Sequence, residues 1–405
     1  MTENVFAGFT ILDHTRYLLG GYATQVFADL GAEVIKIEEI SKGDLCRDDA
    51  PRINGVSHYF SALNRNKKSL SLNLKSKEGR EAYLKLLGRA DVVIENFRPG
   101  VMKRLGIDYS IEKKIKPAII HCSLTGFGQD DPRSLKAFHD INFQALSGYL
   151  SLNGGRTSPI HFVDLSTAMV AVQSIMAALL QRKETGQGAF CDIRMFDSFV
   201  WWNSILDARY QFLGNGLTED TLDFPVLAYN VYETADNGFI SVGMLEDKFW
   251  DGFLSLNGLE ELKPFKLSHP KEAPEAFEMV DKLFRSRTLD QWKKWLKDKD
   301  ICAMWVMDKT EAVNYIMSEN PGLMEYCDFP CTGETLQTRI PQLISTIPVS
   351  LKNAIPAPKL GEHNDVILKG LGYSEEQVLK MSETGACGLI QPCVSADKKE
   401  EEKEC

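Results

Sequence analysis

Three side chains in this sequence are of a type and in a place that can move a proton or attack a carbonyl. Asp164 stands where the apolar run IHFV, read as strand-like, meets the long stretch LSTAMVAVQSIMAALL, and the start of a helix favours a negative group. A carboxylate there can serve as base or nucleophile, or merely cap the helix, and position alone favours the cap. His139, in AFHDINFQALSG, is of the one side-chain type that ordinarily changes charge near neutrality, and a buried carboxylate partner would make it a general base. Glu246, in VGMLEDKFW, follows a strand-like run and either orients a histidine or begins a helix with favourable charge. Taken singly, both residues read more simply as structural.

A set of cations, Lys36, Arg65, Lys67, Lys75, Arg98, Lys103 and Arg104, falls near strand ends and the loops after them, the edge where open α/β sheets bind ligands. That placement suits a phosphate-rich small molecule, although solvated lysines are equally expected in a chain of this size. The loop after the first strand, HTRYLLGGYATQ, is not GxGxxG, which weakens a dinucleotide reading. No GxxxxGK[ST], GxSxG or HExxH pattern occurs, so phosphate-loop, hydrolase-elbow and zincin chemistry lose their main support.

The elements that must hold these residues follow from periodicity. Short apolar runs alternating with amphipathic segments from Phe9 onward read as βα units feeding a parallel sheet. Strands are predicted near Thr10–Leu12, Val34–Glu38, Lys68–Leu74, Val92–Asn96, Ile119–Leu124 and Ala189–Arg194. Helices are predicted over Gly21–Leu30, from Ser76 as N-cap to Leu87, from Pro99, and from Asp164 to about Lys183. The character changes over 214–331, where Asn237-Gly238 reads as a hairpin turn, a helix starts near Glu246, and Thr288 with Gln291 forms a capping box. Ile347–Leu351 reads as a short edge strand because of Pro348, and Ser374 caps a further helix. The expected organisation is a large α/β domain over 1–213, a small α+β domain over 214–331, a return segment over 332–390 that completes the large domain, and a charged, disordered tail over 391–405.

Composition bounds the rest. The 405 residues are 44% apolar and 25% charged, ordinary usage for a folded chain of two or three domains. A net charge of -10 argues against a nucleic-acid partner, which demands many neutralised phosphates. Ala168–Leu180, the longest apolar stretch, is interrupted by Gln173 and Ser174 and is too short to span a bilayer, so no membrane span is expected. No basic segment leads into an apolar run at the N-terminus, which points to the cytoplasm. The nine scattered cysteines read as reduced packing residues, and no metal site is predicted.

Beyond these local readings, the segments FADLGAEVIKIEEISKGD, NRNKKSLSLNLKSKEGR, ADVVIENFRPGVMKRLGIDY, IIHCSLTGFGQDDP, HFVDLSTAMVA, TGQGAFCDIRMFDS and PAPKLGEHNDVILKGLGY, in this order, resemble the family III CoA-transferase superfamily (CaiB/BaiF type), which includes the α-methylacyl-CoA racemases. The resemblance implies a Rossmann-like large domain with a smaller domain in an interlocked homodimer, and Asp164 as the catalytic carboxylate. FHDINFQALSG and VGMLEDKFW resemble the racemase members, which implies His139 as a second base oriented by Glu246, the two lying on different subunits. For an acyl-CoA substrate the resemblance implies contacts from Lys75, Asn96, Phe97, Arg104 and Leu105, and less directly from Lys36 and Arg98, with no cofactor beyond the CoA moiety. It also implies backbone amides near Asp164 as supports for an enolate oxygen. The implied reaction is inversion at the α-carbon of a 2-methyl-branched acyl-CoA. The alternatives are CoA transfer between carboxylic acids through an aspartyl-CoA thioester on Asp164, and non-catalytic CoA binding. Leu19-Gly20-Gly21 replaces the family's Gly-Pro, and Ser166 and Thr167 replace smaller neighbours, which implies a differently shaped acyl pocket.

Overall fold

The computed structural model describes residues 5–218, 221–341, 347 and 349–388, and they form two compact units. The first draws its residues from within Met1–Leu150, Thr157–Ser204 and Ile316–Cys405, the second from Ser151–Arg156 and Ile205–Tyr315. The second unit thus starts earlier and ends earlier than the change in sequence character indicates. The hairpin Met324–Phe329/Gly333–Thr338 belongs to the first.

Six strands build the first unit's sheet: β1 (Thr10–Asp13), β2 (Glu33–Glu38), β3 (Lys67–Ser71), β4 (Val92–Glu95), β5 (Ile120–Thr125) and β6 (Phe190–Arg194). All pair in parallel in the order β3-β2-β1-β4-β5-β6. This is the doubly wound, Rossmann-like order, and it reverses between β1 and β4. The first five strands are buried nearly throughout because helices cover both faces, and only the edge strand β6 is partly open, with Ile193 its one buried residue. One face packs Phe27, Val34, Val92, Ile120, Ala171 and Ile175; the other packs Leu12, Tyr83, Leu86, Val93, Leu368 and Met381. The last two residues come from the far end of the described chain, and Asn364 ties that segment down by accepting the Ser71 N–H at 2.8 Å.

Three helices carry the functional positions: α1 (Tyr17–Asp29), α2 (Asp140–Leu146) and α3 (Phe162–Thr185). With 24 residues, α3 is long and apolar enough to cross a bilayer. Its Ala168, Ala171, Val172, Ile175 and Ala178 instead pack in the core of this unit beside α1, so its apolarity is that of a central helix. Elsewhere the helix starts shift locally. Gly100, with φ 84, caps Val101–Leu105, so Pro99 precedes the helix instead of opening it. Ile347 carries only an isolated bridge residue and 349–351 is not strand; Pro348 and the predicted tail over 391–405 lie outside the described residues.

In the second unit a three-stranded antiparallel sheet, Tyr229–Glu233, Phe239–Gly243 and Ala303–Trp305, packs on helices through an aromatic core. Tyr232 stacks on Phe284 at 4.8 Å, and Phe284 meets Trp292 at the same distance. Asn237 has φ 60, the left-handed conformation a hairpin turn requires. The Thr288/Gln291 box is formed as predicted.

Among the described cysteines, Cys46, Cys122, Cys191, Cys302, Cys327 and Cys387 are free. Cys331 is disulfide-bonded, a departure from the expected reduced thiols.

Candidate active site

A cavity of about 1440 Å³ opens along the carboxyl edge of the first unit's sheet. Every strand feeds it: His14–Leu19 follow β1, Glu38 and Glu39 end β2, Leu72–Lys75 follow β3, Asn96–Pro99 follow β4, Leu124–Gly126 end β5, and Met195 follows β6. The topological reversal between β1 and β4 places two crossover loops on opposite faces and leaves a crevice between them. The basic residues follow β1, β3 and β4, and the acid–base residues follow β5, so the cavity changes chemistry along the sheet.

Asp164 is the third residue of α3, and His139 is the N-cap of α2. The strand-like reading of IHFV fails because Phe162 and Val163 already form the first turn of α3. Asp164 does not cap that helix. The cap comes from Asp140, whose Oδ2 accepts the N–H of Val163 at 2.7 Å and of Asp164 at 3.1 Å, while its Oδ1 accepts from the Gln144 side chain. A borrowed carboxylate thus satisfies the first-turn donors, and the carboxyl of Asp164 is left to face the cavity. Burial, and then the negative charge of Asp140, push that carboxyl up to about 7. The same bonds occupy the amides of Val163 and Asp164, so these two amides are not free for an oxyanion. His139 is exposed and lines the same cavity; its N–H donates to Asn142 Oδ1 at 2.9 Å.

Glu246 is exposed and is the N-cap of Asp247–Asn257 in the second unit. It is absent from the cavity lining, all of which belongs to the first unit. Ser166 and Thr167 are fully buried, and both hydroxyls donate to the Val163 carbonyl. They shape the helix and do not line the cavity, whereas Leu19 of the other departure does.

Of the residues predicted to hold CoA, Lys75, Asn96, Phe97, Arg98, Arg104 and Leu105 line the cavity. Lys36 does not. Its ammonium is fully buried and bonded to Asp44 at 2.8 Å and to the Thr15 carbonyl at 2.8 Å, so it has no face to offer a phosphate. Arg65 pairs with Asp29 and Lys67 with Asn64 and Thr24; both are buried and likewise spent. Asn96 donates to the Arg16 carbonyl at 2.8 Å and accepts the Arg16 N–H at 2.9 Å. Its amide therefore shapes the loop after β1, and any ligand contact through those atoms requires breaking this clamp.

Three lining residues escape the sequence reading. Arg16 follows β1 and holds its guanidinium 5.4 Å from the centre of the Phe97 ring; the rule that ligands sit beyond strand ends was enough to find it. Lys136 lies in the segment before α2. His161, the N-cap of α3, brings a ring nitrogen within 4.8 Å of carboxylate oxygens of Asp140 and Asp164. Three donors already occupy the Asp140 oxygens, which leaves the His161 ring and the Asp164 carboxyl as the members of the trio without a hydrogen bond to a described residue.

A family model described as CoA-transferase family III matches residues 6–364. The human succinyl-CoA:glutarate CoA-transferase is 30% identical over 393 residues, covering 93% of this chain and 89% of that one. The mouse alpha-methylacyl-CoA racemase is 28% identical over 391 residues, covering 93% of this chain and 96% of the relative. Among solved structures, a CAIB/BAIF family protein from Brucella suis superposes with a TM-score of 0.79 at 27% identity, over 91% of this chain and all of the other.

Proposed function

Because the chain belongs to CoA-transferase family III, we propose that it binds an acyl-CoA thioester along the sheet edge and inverts the α-carbon of a 2-methyl-branched acyl group. The observation that carries this reading is that Asp164 and His139 line one cavity, with Asp164 held at about 7. A carboxyl at that value both takes and gives a proton at neutral pH, whereas a nucleophile needs only its ionised form. A hydrogen beside a thioester carbonyl is weakly acidic. One base removes it, and the other returns a proton to the opposite face of the enolate. In this reading Lys75, Arg98 and Arg104 meet the CoA phosphates, Phe97 and Leu105 pack on adenine, and Asn96 holds the loop between them. The partner subunit's Glu246 orients His139 in a homodimer. No cofactor beyond the CoA moiety enters.

A second reading has one specific support, the 30% identity to a succinyl-CoA:glutarate CoA-transferase over 93% of this chain. There the Asp164 carboxylate attacks the donor thioester and the CoA thiolate leaves; the thiolate then attacks the aspartyl carbonyl of the mixed anhydride and releases the donor acid; the acceptor carboxylate attacks the resulting aspartyl-CoA thioester, and the freed thiolate takes the acceptor's acyl group and restores Asp164. Incubation of one epimer of a 2-methylacyl-CoA in D2O without any acid separates the two. The racemase gains deuterium at the α-carbon and loses optical purity. No exchange, followed by CoA transfer when a free acid is added, would overturn the racemase reading.

A further inference from the structure

Two-base inversion ends with the bases in exchanged protonation states, and the protein must reset both before it can take the same epimer again. His139 is exposed and can reset with bulk water. Asp164 is half-buried beside the same cavity, and its carboxyl accepts no hydrogen bond from a described residue, so no bonded neighbour yet carries its proton. A titratable neighbour that reaches both it and solvent discharges it faster than water alone. Asp140 is excluded, because Val163, Asp164 and Gln144 already occupy its oxygens.

His161 meets the requirement. It lines the cavity, its side chain makes no hydrogen bond with a described residue, and a ring nitrogen lies within 4.8 Å of an Asp164 oxygen, a gap that closes directly or through one water. We infer that His161 is the group through which Asp164 exchanges its proton with water between turnovers, an inference that rests on the racemase reading.

The sequence of steps balances. The α-C–H bond breaks, its pair forms the enolate C–C π bond while the carbonyl pair moves to the thioester oxygen, and the proton bonds to Asp164. Protonated His139 gives its proton to the opposite face, and the electron pairs return. The Asp164 O–H then breaks, its proton passes to the neutral His161 ring, and the other ring N–H yields a proton to solvent. His139 regains one from solvent. In the reverse direction each transfer runs backwards.

The test uses His161→Asn, a residue well tolerated at an N-cap position, with His161→Gln as a second variant. Each epimer of a 2-methylacyl-CoA deuterated at the α-carbon is followed by rapid quench in H2O. For the epimer whose proton Asp164 abstracts, first-turnover loss of label should match the wild type. Its steady-state rate should fall roughly 100-fold, the low end of what a positioned proton-transfer group contributes, and added imidazole should restore it where sodium chloride does not. Steady-state rates equal to wild type overturn the inference, and so does a first-turnover loss that imidazole leaves unrepaired, which is the mark of a structural role. Absence of α-exchange in the wild type overturns the racemase reading together with this inference, whereas unchanged variants beside an active wild type overturn this inference alone.

Discussion

Replacing Asp164 by asparagine should abolish activity and make the protein more stable, and the gain should grow with pH. The carboxyl is displaced from 3.8 to about 7, first by burial and then by the charge on Asp140. At roughly 1.4 kcal/mol per pH unit of displacement, a fully dry site makes the ionised side chain cost about 4 kcal/mol. The group faces a cavity that admits water, which raises the local dielectric, so about 2 kcal/mol is the working expectation. Asparagine keeps the shape, carries no charge to desolvate and does not repel Asp140.

The direction with pH is fixed by linkage. Below 3.8 both folded and unfolded chains hold the proton, and the carboxyl has no effect. Between 3.8 and about 7 only the folded chain holds it, so wild-type stability falls as pH rises, and above about 7 the full cost is present. The variant's advantage in equilibrium urea unfolding should therefore be about a quarter of its final size at pH 4.5 and complete by pH 8. An equal advantage at both pH values, or a variant less stable than the wild type at pH 8, would refute the claim that Asp164 is held protonated by its surroundings.

Three other outcomes follow from charges elsewhere in the fold. Lys36→Met leaves Asp44 buried without its cation and Asp13 with Lys67 alone, and should destabilise the fold by about 3–5 kcal/mol, read from the urea midpoint. Arg104→Ala, at an exposed lining position, should instead raise KM for acyl-CoA about tenfold or more, the scale of a lost charged hydrogen bond, with stability within about 0.5 kcal/mol of wild type. His121 is buried and bonds Glu112 at 2.7 Å. Burial works against its charge, but hydrogen bonds to Glu112 and Glu95 lift it to about 9. Its contribution to stability is complete below 6.5 and lost as pH rises through about 9. His121→Phe should flatten the stability profile in that window, and an unchanged slope there would count against the pairing.

The parts of the fold carried by local pattern were legible in the sequence: the alternation that gives a parallel sheet, the Ser76, Thr288 and Ser374 caps, and the turn at Asn237. The site was legible mainly as residue types. Lys36, Arg65 and Lys67 read as ligand cations, because a lysine or arginine near a strand end has the same signature whether its head meets water or a buried aspartate. What separates them is a partner many residues away, such as Asp29 for Arg65. The capping of α3 was hidden for the same reason. Asp140 reaches it from another helix, 24 positions before Asp164, and no i to i+3 pattern records such a bond. His161 was passed over because IHFV alternates like a strand, and only the helix start at Phe162 turns it into a neighbour of Asp164.

The two ends of the cavity are made rigid in different ways, and each suits its task. After β1, fully buried Asp13 accepts from the Thr15 N–H at 2.9 Å and the Thr24 hydroxyl at 2.8 Å, while Lys36 joins Asp44 and Asp44 holds the Tyr17 N–H at 3.1 Å. Burying so many charges adds little net stability over an apolar packing of the same volume, so stability is a weak reason for the arrangement. Its geometric effect is specific: Tyr17 sits at φ 59, and Thr15 presses so close to Gly20 that a Cβ there would lie 2.1 Å from the threonine. That closeness sets where Arg16 leaves the loop and fixes the crevice wall between β1 and β4. Beyond β5, a single uncompensated carboxylate does the equivalent work. Asp140 binds two helix amides, holds α2 to α3, and by its charge adds to the burial that raises the neighbouring Asp164. A neutral substitute such as asparagine at 140 could still cap the helix, but it would remove the second of the two causes that raise Asp164, after burial, so capping and proton transfer are coupled through one side chain.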